Sequence, residues 1–262
     1  MKAIILAAGK GTRLKTSGED RPKCLIELGG KTLLACQVEA LRAAGLREIT
    51  LVTGYQGSHL EGLGFRTISN PRYAETNMVA SLLCAEPLLN GRHDLLIAYA
   101  DILYEPRVVE ALLACTAPLA TTIDTCWRRL WEVRMENPLS DAETLKLDAS
   151  GNIRELGRSP ASYEEIEGQY MGLIKVCADT APRLVAHFRA LDPKRRYGGR
   201  PPIQMDMTSF LQSWIDGGGT LRAVPVAGGW LEVDTEKDLE VYRRLLREGR
   251  LSEYCRIPAS AS

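Results

Sequence analysis

Through its first 125 residues the chain alternates short, wholly apolar runs with stretches whose apolar residues recur at three- and four-residue intervals. Residues 2–8 (KAIILAA) are a continuous apolar run, the pattern of a strand covered on both faces. Thr32 is placed to cap a helix in which Leu34, Val38 and Leu41 fall at i, i+4 and i+7, and Gly45 stops it. The same reading predicts a strand over 49–53, a helix over 78–89, a strand over 94–100 ending at Asp101, a helix over 106–114 and a strand over 119–124. Strands separated by helices of this length predict a parallel sheet with crossover connections.

Beyond Cys126 the segments shorten and polar residues interrupt them. Residues 131–135, 145–147, 153–156 and 170–176 predict a smaller, more antiparallel lobe. Helices over 181–191 and 208–215, strands over 221–226 and 230–233, and a helix over 236–246 follow. The fold class expected is α/β: a doubly wound, mostly parallel, Rossmann-like sheet with a smaller, partly antiparallel lobe. One domain is expected over 1–255, in two halves, 1–125 and 126–235, with a C-terminal helical piece over 236–255. A flexible tail is expected over 256–262, which are small or polar residues apart from Ile257.

Composition narrows the function. A chain of 262 residues hides roughly 75% of its unfolded surface. Its 33 Lys+Arg balance 33 Asp+Glu, so no global field gathers nucleic-acid phosphates. No apolar run approaches the ~18 to 20 residues of a membrane helix, and the opening run is too short for a signal peptide. A soluble cytoplasmic protein is expected. The seven cysteines are scattered and never spaced Cys-x-x-Cys, which argues against a disulfide framework or a zinc site.

The segment from Leu6 to Leu14 carries the strongest chemical signal. Gly9 and Gly11 follow a strand at its carboxyl end, where parallel sheets place ligands and glycines let backbone N–H groups approach an anion. It is not the dinucleotide fingerprint, because Leu14 stands where the third glycine belongs. Nor is it a P-loop, which needs a further glycine in the apolar stretch upstream of Lys10. Asp101 and Asp234 each end a short apolar strand; for Asp234 a helix cap or turn role is an equal alternative. His59, His93 and His187 are unclustered and offer no general base, and the sequence around Ser159 lacks the second glycine of a nucleophile elbow.

Gly9-x-Gly11-Thr12-Arg13-Leu14 followed by Arg21-Pro22-Lys23 resembles the signature of nucleotidyltransferases that join an NTP to a phosphorylated small molecule. The resemblance implies that Leu6, Ala7, Ala8, Gly9, Gly11, Thr12 and Arg13 hold the nucleotide, and that Lys23 reaches the reacting α-phosphate. It further implies that Asp101 and Asp234 bind Mg²⁺, with Arg13, Lys23 and the two aspartates as the catalytic set. Asn77, Met78, Ser81, Tyr99 and Ala100 would complete the nucleotide site. Residues 73–81, 99–104, 137–147, 163–173, 207–212 and 229–234 are similar to cytidylyltransferases acting on small amino compounds: phosphoglutamine-like, phosphocholine-like or aminoalkylphosphonate. On that resemblance CTP is the donor, pyrophosphate the by-product, residues 1–125 the nucleotide-binding half and 126–235 the acceptor-binding half.

An acceptor with an ammonium group wants carboxylates or aromatic faces, and one with a carboxylate also wants a cation. Trp127, Trp131, Lys146, Glu155, Tyr170, Lys175, Asp206 and Trp230 are the acceptor candidates. The expected partners are therefore small molecules rather than nucleic acid or membrane, with a homodimer left open. Two alternatives remain: a sugar-1-phosphate nucleotidyltransferase, against which Gly157-Arg158-Ser159-Pro160 stands in place of Glu-Lys-Pro, and a catalytically silent nucleotide-binding regulator.

Overall fold

The computed structural model describes residues 1–11 and 21–257. Strand β1 (Lys2–Ala7) leads past the glycine turn to a small hairpin, β2 (Glu27–Leu28) and β3 (Lys31–Thr32). Helix α1 (Leu33–Ala43) is capped by the Thr32 side chain, which accepts from the Ala35 amide, and buries Leu34, Val38 and Leu41. Then come β4 (Ile49–Thr53), β5 (Arg66–Ser69), α2 (Met78–Cys84), β6 (Leu95–Tyr99), β7 (Ile102–Tyr104), α3 (Pro106–Ala114) and β8 (Leu119–Asp124). The second half contributes α4 (Trp127–Arg134), β9 (Leu145–Leu147), β10 (Ile153–Leu156), β11 (Gln169–Val176), α5 (Ala181–Ala190), α6 (Met207–Asp216), β12 (Arg222–Val226), β13 (Trp230–Glu232) and α7 (Glu236–Arg247).

Seven strands form one sheet in the order β12-β8-β11-β6-β1-β4-β5. All neighbours are parallel except β11, which runs antiparallel to both β6 and β8. Burial explains the composition of the central strands: Ile4, Ile5, Leu51, Leu95 and Leu96 are inaccessible because helices cover both faces. No helix among the described residues is long and apolar enough to cross a membrane.

Three expectations need correction. Residues 131–135 are not a strand but the end of α4, whose buried positions are Trp127, Leu130, Trp131 and Arg134, at i, i+3, i+4 and i+7. An arginine at the fourth inward position hid the helical period. The helix expected over 78–89 stops at Cys84 and a 3-10 turn takes over at Glu86–Leu88, because Pro87 lacks an amide proton and its ring clashes with the preceding turn. The antiparallel character of the second half is largely drawn into the main sheet by β11. Outside it stand the β9–β10 hairpin and the β7–β13 pair.

The reversed strand sets up the site. Parallel sheets collect ligands at the carboxyl ends of their strands, and an antiparallel β11 brings its amino end, Gln169 and Tyr170, to that same edge. Its pairing with β8 shifts register between Tyr170 and Ile174, and Gly172 takes φ +75° there, pressed against the Tyr99 ring. A Cβ at Gly172 would lie 2.9 Å from Tyr99 Cγ. Gly172→Ala is therefore expected to cost ~2 kcal/mol or more. Calorimetry should show a melting temperature lower by about 4–8 °C.

Candidate active site

The carboxyl ends of β1 and β6, the start of α2, the amino end of β11 and the segment after β13 surround a cavity of about 500 Å³. That is the size of a nucleotide-class ligand site. Leu6, Ala7, Ala8, Gly9 and Gly11 line it from β1; Thr12 and Arg13 lie outside the described residues. Gly11 has φ +59° and sits on the Lys23 side chain so closely that a Cβ would come within 2.6 Å of Lys23 Cγ. The glycine thus makes room for the lysine as well as for a ligand. On the flank, Asn77 caps α2 by accepting from the Met78 amide, and Asn70 donates to the Ser81 hydroxyl at 3.0 Å. Asn77, Met78 and Ser81 face the cavity, as do Tyr99, Ala100 and Asp101.

At the floor, Lys23 Nζ donates to Asp101 Oδ2 at 3.1 Å and to Asp234 Oδ1 at 2.9 Å, joining residues 78 and 211 positions away. All three side chains are largely buried, 14–15% exposed. Burial pulls the ammonium toward neutrality, but the two carboxylates overcome it and hold the Lys23 pKa above its ordinary value. Glu232, two residues before Asp234 on the same face of the chain, joins them at the cavity wall. Burial, then the nearby Asp234, pushes its carboxyl above the ordinary carboxylate range against the pull of Arg134.

Among the described residues no cluster of three His, Cys, Asp or Glu is arranged as a ready metal cage. The donor set nevertheless suits Mg²⁺, which takes one or two carboxylates and completes its octahedron with water and substrate phosphates. Asp101 Oδ1 is buried with no hydrogen-bond partner among the described residues, and the single positive charge of Lys23 leaves the two aspartates net negative. Asp101 and Asp234 are thus a pair that fits a hard cation.

The far end of the cavity is built from the second half. Tyr170 packs edge-on to Tyr99 at 5.7 Å between ring centres. Asp206 caps α6 by accepting from the Ser209 amide at 2.8 Å. The Thr208 hydroxyl lies 3.3 Å from both Asp206 Oδ1 and Glu143 Oε1, and its single proton can serve only one of them. Burial, reinforced by Asp206, pushes the Glu143 carboxyl up to about 7. The Gln169 side-chain amide clamps the Glu143 backbone from both sides, accepting from its N–H at 3.1 Å and donating to its C=O at 2.6 Å. Trp131 lines this end as well.

Five acceptor candidates lie elsewhere. Trp127 packs against Trp131 and Tyr163. The Trp230 indole donates to Asp124 Oδ2 at 3.0 Å, away from the cavity. Lys146 and Glu155 face each other across the β9–β10 hairpin as an ion pair, with Glu165 also on the lysine. Lys175 lies at the carboxyl end of the reversed β11, at the opposite edge of the sheet, where its ammonium donates to the Cys115 carbonyl. Glu143, Asp141, Gln169, Thr208 and Glu232 line the cavity without having been singled out. Glu232 could have been found as the charged residue that ends the short apolar run two positions before Asp234. Glu143 sits in an irregular segment that carries no periodic signal.

A cavity at the carboxyl edge of a mostly parallel sheet, with a glycine turn on one wall and a lysine between two aspartates on its floor, is the build of a nucleotide-transferring enzyme. The chain belongs to the MobA-like NTP transferase domain family, whose model matches residues 3–150, and it is a nucleotidyltransferase. It is 40% identical over 250 residues to the CTP:phosphoglutamine cytidylyltransferase of Campylobacter jejuni, covering 92% of this chain and 98% of that one. Its fold is shared with the inositol-1-phosphate CTP transferase of T. maritima (TM-score 0.70, 17% identity, 97% of each chain). It is also shared with the CTP:phosphocholine cytidylyltransferase of Streptococcus pneumoniae (TM-score 0.66, 21% identity, 94% of this chain and 98% of that one).

The raised Glu143 carboxyl makes a pH-dependent prediction. Its folded pKa of about 7 exceeds the ordinary 4.5, so its contribution favours the fold at low pH and is withdrawn as pH rises through about 7. Glu143→Gln removes that titration. The melting temperature of the variant minus that of the wild type should rise between pH 5 and pH 8 in the ligand-free protein; a pH-independent difference would refute the assignment.

Proposed function

We propose that this enzyme is a Mg²⁺-dependent cytidylyltransferase that moves CMP from CTP to a small phosphorylated or phosphonate compound bearing an amine, with release of pyrophosphate. In this reading residues 1–125 carry the nucleotide and 126–235 the acceptor. The observation that carries it is the Lys23 ammonium held between Asp101 and Asp234 beside the glycine turn. The 40% identity to a CTP:phosphoglutamine cytidylyltransferase supports the choice of nucleotide and acceptor class.

The chemistry follows from charge. A phosphate monoester has its second pKa near ~6, so at neutral pH its oxygen is already an anion and needs no general base. None of the three histidines lines the cavity. An acceptor oxygen forms a bond to the α-phosphorus of CTP while the bond from that phosphorus to the pyrophosphate oxygen breaks, and the departing group carries the electron pair. Lys23, at the mouth of the glycine turn, donates to a non-bridging oxygen as charge builds there. Asp101 and Asp234 would hold Mg²⁺, which when bound supplies Lewis-acid stabilisation of the phosphate charges. Glu143 and Asp206 sit where the acceptor's ammonium would answer their unmet need for a positive charge.

Pyrophosphate release tests this directly, offering each of four NTPs with phosphoglutamine, phosphocholine, aminoalkylphosphonates and hexose-1-phosphates. Turnover should require CTP and an amine-bearing acceptor. Turnover with hexose phosphates alone would refute the acceptor class, and tight nucleotide binding with no pyrophosphate would refute catalysis. Lys23→Ala should lower kcat by ~10² to 10³.

A further inference from the structure

Arg134 is one of the largest fully buried side chains in the protein, with none of its surface exposed, yet it occupies a helix position that Trp127, Leu130 and Trp131 fill with apolar groups. Burying a guanidinium is costly unless its partners need it. Its Nε donates to Asp238 Oδ1 at 2.9 Å and its Nη2 to Asp238 Oδ2 at 3.4 Å, while Nη1 reaches Glu232 Oε2 at 3.3 Å. The Trp131 ring, which lines the cavity, lies 4.9 Å from the guanidinium carbon.

Asp238 transmits this grip to the site. The Oδ2 that faces Arg134 also accepts from the Asp234 amide at 3.1 Å, the Thr235 amide at 2.8 Å and the Thr235 hydroxyl at 2.9 Å. A capping box needs an acid at this position but no arginine behind it. Tyr242 adds a bond from its hydroxyl to the Glu232 carbonyl at 2.9 Å. The residues on either side of Val233 are therefore held from one buried centre, Glu232 by its carboxylate and Asp234 through its backbone.

We infer that Arg134, acting through Asp238, is the positioning residue that fixes the backbone of Asp234 and so aims its carboxylate at the divalent cation. This rests on the reading of Asp101 and Asp234 given above. The planar fork suits this position: two of its nitrogens engage Asp238 and a third engages Glu232, where a lysine would offer a single nitrogen. Outer groups that orient metal-binding carboxylates commonly govern affinity by ~10- to 100-fold.

The test is Mn²⁺ titration followed by electron paramagnetic resonance, with CTP present, on wild type, Arg134→Met, Arg134→Lys and Asp238→Asn, alongside thermal unfolding. The Mn²⁺ dissociation constant should rise ~10- to 100-fold in Arg134→Met and less in Arg134→Lys, and excess Mg²⁺ should restore pyrophosphate release. Val185→Ala, a core truncation packed in the second apolar cluster, serves as a control of lowered stability and should leave Mn²⁺ affinity unchanged. If Arg134→Met does not fold, Asp238→Asn must show the same weakening. Unchanged affinity in the folded variants, or equal weakening in Val185→Ala, overturns the inference with the catalytic reading intact. If the wild type with CTP takes up no Mn²⁺, the reading of the two aspartates fails and the inference with it.

Discussion

The structure depends on one electrostatic problem, three carboxylates brought to the floor of a single cleft. Asp101 follows β6, while Glu232 ends β13 and Asp234 follows it, more than a hundred residues later. Left alone they would repel one another in a partly buried setting where charge is poorly screened. Two cations answer them from opposite sides. Lys23 reaches in from the cavity side to Asp101 and Asp234, and Arg134 reaches Glu232 from within the core. The accessible cation can meet a ligand, whereas the buried one is fixed by packing.

The sheet makes this convergence available. Parallel strands deliver β1 and β6 to one edge, and the single reversed strand delivers Gln169 and Tyr170 to the same edge from the second half of the chain. Gln169 then fastens the backbone of Glu143, so an irregular connection holds its carboxylate at a defined place. The glycine-turn end of the cavity thereby rests on strand ends and glycines. The Glu143 end rests on side-chain hydrogen bonds.

Much of this was legible in the sequence, for identifiable reasons. Buried parallel strands announce themselves as continuous apolar runs, which is why β1, β4, β6 and β8 could be placed to within about a residue. Charged residues at the ends of such runs stand out, which exposed Asp101 and Asp234. Helix α4 was hidden because Arg134 takes an inward position, and the ion pairs that permit this involve residues 98 and 104 positions away. Lys175 was misplaced because composition does not reveal that β11 runs backwards. Trp230 and Trp127 were misplaced because an indole that fills a core and one that faces a ligand look alike in a sequence. Glu143 was not singled out, since it carries no periodic signal and only the resemblance of residues 137–147 as a whole covers it.

The claim that Asp234 and Asp101 share a cation with the nucleotide beside Lys23 is tested most directly by phosphorus NMR of bound CTP with Mn²⁺ added. In the wild type the α-phosphate resonance should relax sharply faster than in the metal-free complex, and Asp234→Asn should abolish that enhancement while CTP remains bound. An enhancement that survives in Asp234→Asn, or one confined to phosphates other than the α, would contradict the account.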